Sequence, residues 1–94
     1  MTSIDPLNRE SIADMDDSQI AEEVVALLRK VVPHEIGETT LSSLLVEDIG
    51  IDSLGSYELM MDAEDRFGIE IAEDELLNLK SIADIVALVR SKNS

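Results

Sequence analysis

The chain has 94 residues, no cysteine, one tyrosine and one phenylalanine, which predicts one small domain with an aliphatic core and excludes disulfide and thiolate chemistry. Its net charge of −14, from 21 acidic and 7 basic residues, disfavours binding to nucleic acids and anionic membranes and favours partners with basic patches. The start of the sequence has no secretory pattern, and no apolar stretch approaches the ~20 residues of a membrane-spanning helix, so we expect a cytoplasmic protein. We also expect a monomer.

The first part of the chain contains one clear helix. Residues 1–16 are polar and aperiodic, and we expect a flexible N-terminal arm there. Asp16 followed by Gln19 matches a capping box, which predicts the start of a helix that ends before Pro33. The apolar face of this helix is formed by Ile20, Val24, Leu27, Leu28 and Val31.

A long loop and three further helices are predicted after it. Residues 34–52 form the loop, whose scattered apolar side chains are expected to lie over the core. The next helix covers about Ser53–Phe67, a short one covers Glu73–Asn78, and the last begins at Ser81. The apolar residues of the loop are Ile36, Leu41, Leu44, Leu45, Ile49 and Ile51. The fold class is therefore all-α, a small helical bundle of three main helices plus one short helix.

The helix predicted over residues 53–67 carries two apolar stripes. The stripe expected to face the core consists of Leu59, Met60, Ala63 and Phe67. The other consists of Leu54, Tyr57 and Met61 and is flanked by the carboxylates of Glu58, Glu64 and Asp65. Carboxylates are rarely buried without a partner, so the second stripe favours an apolar docking surface with an acidic rim. A broad helix buried on both sides is the alternative.

The stretch GIDSLG, residues 50–55, places Ser53 at the predicted start of that helix. A hydrolase nucleophile is disfavoured, because the glycines miss the G-x-S-x-G spacing and nothing in the sequence places the only histidine, His34, nearby. A calcium loop fails in both registers considered, because isoleucines take ligand positions in one and an arginine and a phenylalanine take positions 5 and 6 in the other, and no metal site is predicted. A plain N-cap at Asp52 or Ser53 remains, as does an attachment point for a phosphodiester, which a helix N-terminus favours. Gly55 costs about 1 kcal/mol in a helix relative to alanine, and it removes bulk near Ser53.

With its flanks, this stretch resembles the acyl carrier proteins. The family's core motif is a leucine- or isoleucine-glycine pair, one variable residue and D-S-L, and residues 49–54 read IGIDSL. The resemblance is carried by LVEDIGIDSLGSYELMMDAEDRFGIEIAEDEL, residues 45–76. It extends over about residues 18–92, because the first helix and the closing SIADIVALV fit the family's first and last helices. It implies an acyl carrier domain over residues 17–92.

The resemblance implies a role for each matched residue. Ser53 would carry 4′-phosphopantetheine, transferred from coenzyme A by a phosphopantetheinyl transferase, and the chain itself would not be an enzyme. Asp52 would cap the helix and help to position the transferase's metal–coenzyme A complex. The partner-facing residues would be Leu54, Tyr57, Glu58, Met61, Glu64 and Asp65. The partners would be acyltransferases, ketosynthases or related enzymes with basic patches, which load or process acyl thioesters.

The sequence also departs from the family pattern. Gly55 stands where aspartate is common in bacterial fatty-acid carriers, and Ala72 stands where proline is common. Residues 1–16 are longer than the usual start. A housekeeping fatty-acid carrier and a specialised carrier for polyketide or modified-lipid synthesis both remain open. The alternatives are a carrier of aminoacyl or D-alanyl cargo, and an acidic helical interaction module without a prosthetic group.

Overall fold

The computed structural model describes residues 9–93, which form a small helical bundle. Its helices are α1 (Arg9–Asp14), α2 (Asp17–Val31), α3 (Ser53–Phe67), α4 (Glu73–Leu77) and α5 (Ile82–Asn93). A π-helical turn, Leu45–Ile49, lies in the connection between α2 and α3. The all-α fold class is confirmed, with one short helix more than predicted. No helix in the described range is long and apolar enough to cross a membrane.

The core lies where α2 packs against α3 and α5. Its side chains are aliphatic apart from Phe67. α2 contributes the face expected from the sequence, and it begins at the predicted capping box, since Asp16 and Gln19 each accept the other's backbone N–H (2.8 and 2.9 Å). The buried apolar side chains of the three helices are Ile20, Val24, Leu27, Leu28, Leu59, Ala63, Phe67, Ile82, Ile85, Val86 and Val89.

Residues 9–14 form a packed helix, which differs from the flexible arm expected over residues 1–16. Ile12 is only 1% exposed, and α1 packs against α5. Arg90 of α5 holds the link between α1 and α2, because its guanidinium pairs with Asp17 (2.6 Å) and donates to the backbone carbonyl of Met15. A six-residue helix is too short to show a hydrophobic period, so the sequence pattern missed it. The remainder of the expected arm, residues 1–8, lies outside the described residues.

The connection between α2 and α3 is joined to the start of α5 by backbone hydrogen bonds. The N–H of Ile82 donates to the carbonyl of Ser43 (3.1 Å), and the N–H of Ala83 donates to the carbonyl of Leu41 (2.8 Å). The first N–H groups of a helix have no partner within it, and here the connection supplies one. The segment is therefore held in place, as expected for a loop laid over the core.

The apolar side chains of this connection divide into two groups. Leu45, Ile49 and Ile51 are buried, and Ile36 is partly buried against the core, as predicted. Leu41 and Leu44 are 38% and 37% exposed, so the prediction that they anchor the loop in the core is wrong. Both lie in the part of the connection that joins α5 through its backbone, so they need no buried side chain to hold it.

The ends of α3, α4 and α5 agree closely with the sequence signals. Gly68 ends α3 in the left-handed conformation (φ 67°), which favours glycine. α4 ends one residue before the predicted Asn78. Ser81 and Asp84 form a reciprocal capping box at the start of α5, with both distances at 3.2 Å.

Glu75 joins α4 to α5. Its Oε1 accepts the backbone N–H of Ala72 (2.9 Å) and pairs with Nζ of Lys92 (2.9 Å). The Ala72 N–H and then the Lys92 ammonium hold the pKa of the Glu75 carboxyl below its ordinary value. A proline at position 72 has no N–H and could not make this hydrogen bond.

Candidate functional site

Ser53 is the first residue of α3, and its side chain is exposed. The residue before it caps the helix, because Oδ1 of Asp52 accepts the backbone N–H of Gly55 at 2.7 Å. Within residues 9–93 the Ser53 hydroxyl has no hydrogen-bond partner. Of the two interpretations left open by the sequence, capping thus belongs to Asp52, and the serine hydroxyl remains available for attachment.

Gly55 brings the segment before α3 close to the helix. A Cβ on Gly55 would lie 3.0 Å from Cγ1 of Ile51 and 3.1 Å from Oδ1 of Asp52, tighter than an ordinary van der Waals contact. The missing side chain therefore leaves room for the buried Ile51 and for the capping carboxylate. This gives Gly55 a packing role at the base of the site, which the sequence alone did not reveal.

His34 contacts the backbone just before this segment, at Ile49 and Gly50. Its Nε2–H donates to the backbone carbonyl of Ile49 at 2.9 Å, and its ring lies against Gly50. Because Nε2 donates to a carbonyl, this nitrogen is not available as a base. The sequence analysis found nothing to bring His34 near GIDSLG, because no local sequence signal identifies this long-range contact.

One face of α3 is apolar and exposed. It consists of Leu54 (70% exposed), Tyr57 (40%) and Met61 (52%), which we call the α3 strip. The opposite face, with Leu59, Ala63 and Phe67, is buried, and Met60 packs partly against the core. The two predicted stripes are therefore confirmed, and the helix is not buried on both sides.

Two exposed carboxylates border the α3 strip. Glu58 and Asp65 have no ion-pair partner within residues 9–93, so their charges are available to a basic partner. The third predicted rim residue, Glu64, is different. It is half-buried, and its Oε2 accepts the backbone N–H of Ile71 at 2.7 Å, so its carboxylate fastens the connector after α3.

Val46 is an exposed apolar residue that the sequence analysis did not single out. It lies in the π-helical turn before α3 and is 65% exposed. In the sequence it stands beside Leu45, which is buried, and a single exposed valine in a loop carries no periodic signal. Only the turn geometry reveals which of the two neighbours faces outward.

Comparisons with known proteins give the family. Residues 22–89 match the family profile described as "Phosphopantetheine attachment site". An acyl carrier protein homolog from Mycoplasmopsis pulmonis is 40% identical over 74 residues, which cover 79% of this chain and 96% of that protein. The chain belongs to the acyl carrier protein family. An acyl carrier protein from Exiguobacterium sibiricum is 36% identical over 78 residues, covering 83% of this chain and 99% of that protein.

A solved structure agrees with the sequence relatives. A candidate acyl carrier protein from Mycobacterium tuberculosis matches this fold with a TM-score of 0.69 at 28% identity, over 77% of this chain and 96% of that one. As an acyl carrier protein, the chain is a carrier with a covalently bound 4′-phosphopantetheine.

The start of α3 fits such a group. An exposed hydroxyl stands at the N-terminus of a helix of 15 residues, where the unpaired N–H groups and the helix dipole favour a phosphodiester. Asp52 occupies only one of those N–H groups, that of Gly55.

Proposed function

We propose that Ser53 is the attachment point of 4′-phosphopantetheine, and that the protein presents acyl intermediates, bound as thioesters to that arm, to enzymes of fatty-acid, polyketide or related biosynthesis. The observation that carries the proposal is the exposed Ser53 hydroxyl at the start of α3, without a hydrogen-bond partner among residues 9–93. A separate phosphopantetheinyl transferase catalyses the attachment, so the serine needs no base of its own. The chain is then a substrate and carrier, not an enzyme.

Asp52 has two roles in this proposal. Oδ1 caps α3, and Oδ2 has no partner within the described residues. This exposed second oxygen would help to position the transferase's metal–coenzyme A complex next to Ser53. The same carboxylate would therefore both cap the helix and attract the cation that accompanies coenzyme A.

The α3 strip, with Glu58 and Asp65, is the proposed docking surface for partner enzymes. Its apolar centre supplies contact area, and the two unpaired carboxylates steer basic partners toward Ser53 at the end of the same helix. Glu64 was expected on this surface from the resemblance, but we assign its carboxylate to the connector through Ile71 instead.

The attachment is tested by intact mass after incubation with coenzyme A and a promiscuous phosphopantetheinyl transferase. We expect wild type to gain one phosphopantetheine, Ser53→Ala to gain none, and Ser56→Ala to be loaded like wild type. Ser56 is the matched control, since it lies one turn along α3 and is half-buried. An unmodified wild type, with the transferase active on another carrier, would refute the proposal and favour an interaction module without a prosthetic group.

The docking surface is tested by charge reversal. We expect the double variant Glu58→Lys, Asp65→Lys to be loaded more slowly at low salt, with a deficit that shrinks as salt rises, because salt screens exposed charges. Glu35→Lys with Glu38→Lys is the control, since it makes the same change in net charge at exposed residues after α2. An equal decrease in the loading rate of both double variants would refute the α3 strip as the docking surface.

The cargo is identified by the mass of the natively attached group, which separates acyl from aminoacyl or D-alanyl carriers.

A further inference from the structure

We infer that His34 is a positioning residue for the Ser53 site, because it holds the backbone segment that leads into α3. The inference rests on the proposed function, in which Ser53 is the modified residue. His34 lies 19 positions before Ser53 in the sequence, outside the GIDSLG stretch. Only the fold brings it to the start of that stretch.

Two contacts link His34 to this segment. Its Nε2–H donates to the carbonyl of Ile49 at 2.9 Å. Ile49 is the last residue of the π-helical turn, where backbone carbonyls lack a partner within the helix. The ring also lies against Gly50, where a Cβ would be 3.1 and 3.3 Å from the imidazole atoms Cε1 and Nε2. The imidazole therefore supplies both a hydrogen bond and a packing surface.

The same segment is fixed again on the Ser53 side. The N–H of Ile51 donates to the carbonyl of Leu45 at 3.0 Å, and the Ile51 side chain is buried where Gly55 leaves space for it. Asp52 follows directly and caps α3 through Gly55. The backbone from 49 to 52 is thus held by His34 at one end and by the base of α3 at the other, and it presents Ser53 in a defined position.

The hydrogen bond requires only a proton on Nε2. A neutral imidazole with that proton and an imidazolium both donate to a carbonyl, so the contact does not depend on the charge of the ring. We therefore expect His34 to act as a donor and not as a base or a pH switch. Without this hydrogen bond, the buried face of α3 still holds the helix and its α3 strip in place, but the backbone that leads to Ser53 loosens. We therefore expect phosphopantetheine transfer to slow more than docking weakens.

The test compares two amide variants in phosphopantetheine loading. The amide nitrogen of His34→Gln reaches about as far as Nε2, whereas that of His34→Asn is one methylene shorter, near Nδ1. With His34→Asn as the substrate, we expect the kcat of the transferase to be about three- to tenfold lower, the range for one lost hydrogen bond. Its KM for the carrier should stay within about twofold of the wild-type value. His34→Gln should recover at least half of the lost kcat. Its kcat ratio to wild type should be constant between about pH 6 and 8, where a titrating base would change it.

A spectroscopic readout separates positioning from a general loss of stability. The amide of Gly50 shares its peptide unit with the Ile49 carbonyl, so its NMR shift should move in His34→Asn and return toward wild type in His34→Gln. Glu35→Gln, at the exposed neighbouring position, is the control and should change neither kcat nor the Gly50 shift.

Several results would overturn the inference. Wild-type kcat in His34→Asn, equal slowing in His34→Asn and His34→Gln, or equal slowing in Glu35→Gln would each show that the Nε2 donor does not position the site. A wild type that accepts no phosphopantetheine would instead refute the proposed function itself. The two failures are therefore distinguishable in one experiment.

Discussion

The substitution Asp52→Ala separates the two roles proposed for this carboxylate. It removes the acceptor for the Gly55 N–H, a bond of 2.7 Å at a buried residue. Loss of an N-cap costs about 0.5–2 kcal/mol, and loss of a negative charge at a helix N-terminus costs a further 0.3–1 kcal/mol or so. We expect Asp52→Ala to lower the free energy of unfolding by about 1.5–2 kcal/mol. Because 1 kcal/mol corresponds to about 4–8 °C in a domain of this size, the melting temperature should fall by about 6–16 °C.

Asp52→Asn and Asp52→Ser serve as matched variants. Both keep a side-chain oxygen for the cap and lose the charge, so each should lose less than about 1 kcal/mol of stability. Urea denaturation followed by circular dichroism measures the cap, and loading kinetics at a temperature where every variant is folded measure the second role. We expect slow loading in all three variants, including the two that remain stable. Unfolding of Asp52→Ala at the wild-type midpoint would refute the capping argument, and normal loading of Asp52→Asn would refute the role of the charge.

Three further predictions concern stability. Because the pKa of the Glu75 carboxyl lies below its ordinary value, its contribution to stability is present at neutral pH and is lost as the pH falls through that lowered pKa. The difference in the free energy of unfolding between wild type and Glu75→Gln, measured by urea denaturation, should therefore shrink in acid. A difference that stays constant with pH would contradict this. With a net charge of −14, added salt or divalent cations should raise the melting temperature, and an unchanged melting temperature would argue against significant repulsion between carboxylates. Gly55→Ala should not raise the free energy of unfolding by the ~1 kcal/mol expected for alanine in a helix, because the new Cβ would lie too close to Ile51 and Asp52. An increase of that full size in denaturation experiments would contradict this steric argument.

The main helices could be predicted because their signals are local. The capping box of Asp16 and Gln19 lies within four residues, and the period of α2 extends over four turns. The end of α3 depends on one glycine, Gly68, in a conformation that other residues rarely adopt. The position of Ser53 at a helix start and the exposure of the α3 strip follow from the same patterns.

The missed features depend on contacts between distant residues. α1 is one and a half turns long and is identified by the burial of Ile12 against α5, which no local period encodes. His34 and Ile49 are separated by 15 positions, so only the fold reveals their hydrogen bond. The packing role of Gly55 likewise requires the position of Ile51, whose side chain could have pointed elsewhere without changing the sequence pattern.

The packing of α1 has a practical consequence for transplanting this carrier between biosynthetic assemblies. The family match begins at residue 22, inside α2, so a fusion joint placed there would discard the first turn of α2 together with α1. In the fusion protein, the apolar side of α5 would no longer be covered by Ile12. Arg90 would also lose its ion pair with Asp17 and its hydrogen bond to the carbonyl of Met15. A joint before residue 9 keeps this cover and adds only 13 residues to the transplanted segment, as counted from residue 22 back to residue 9.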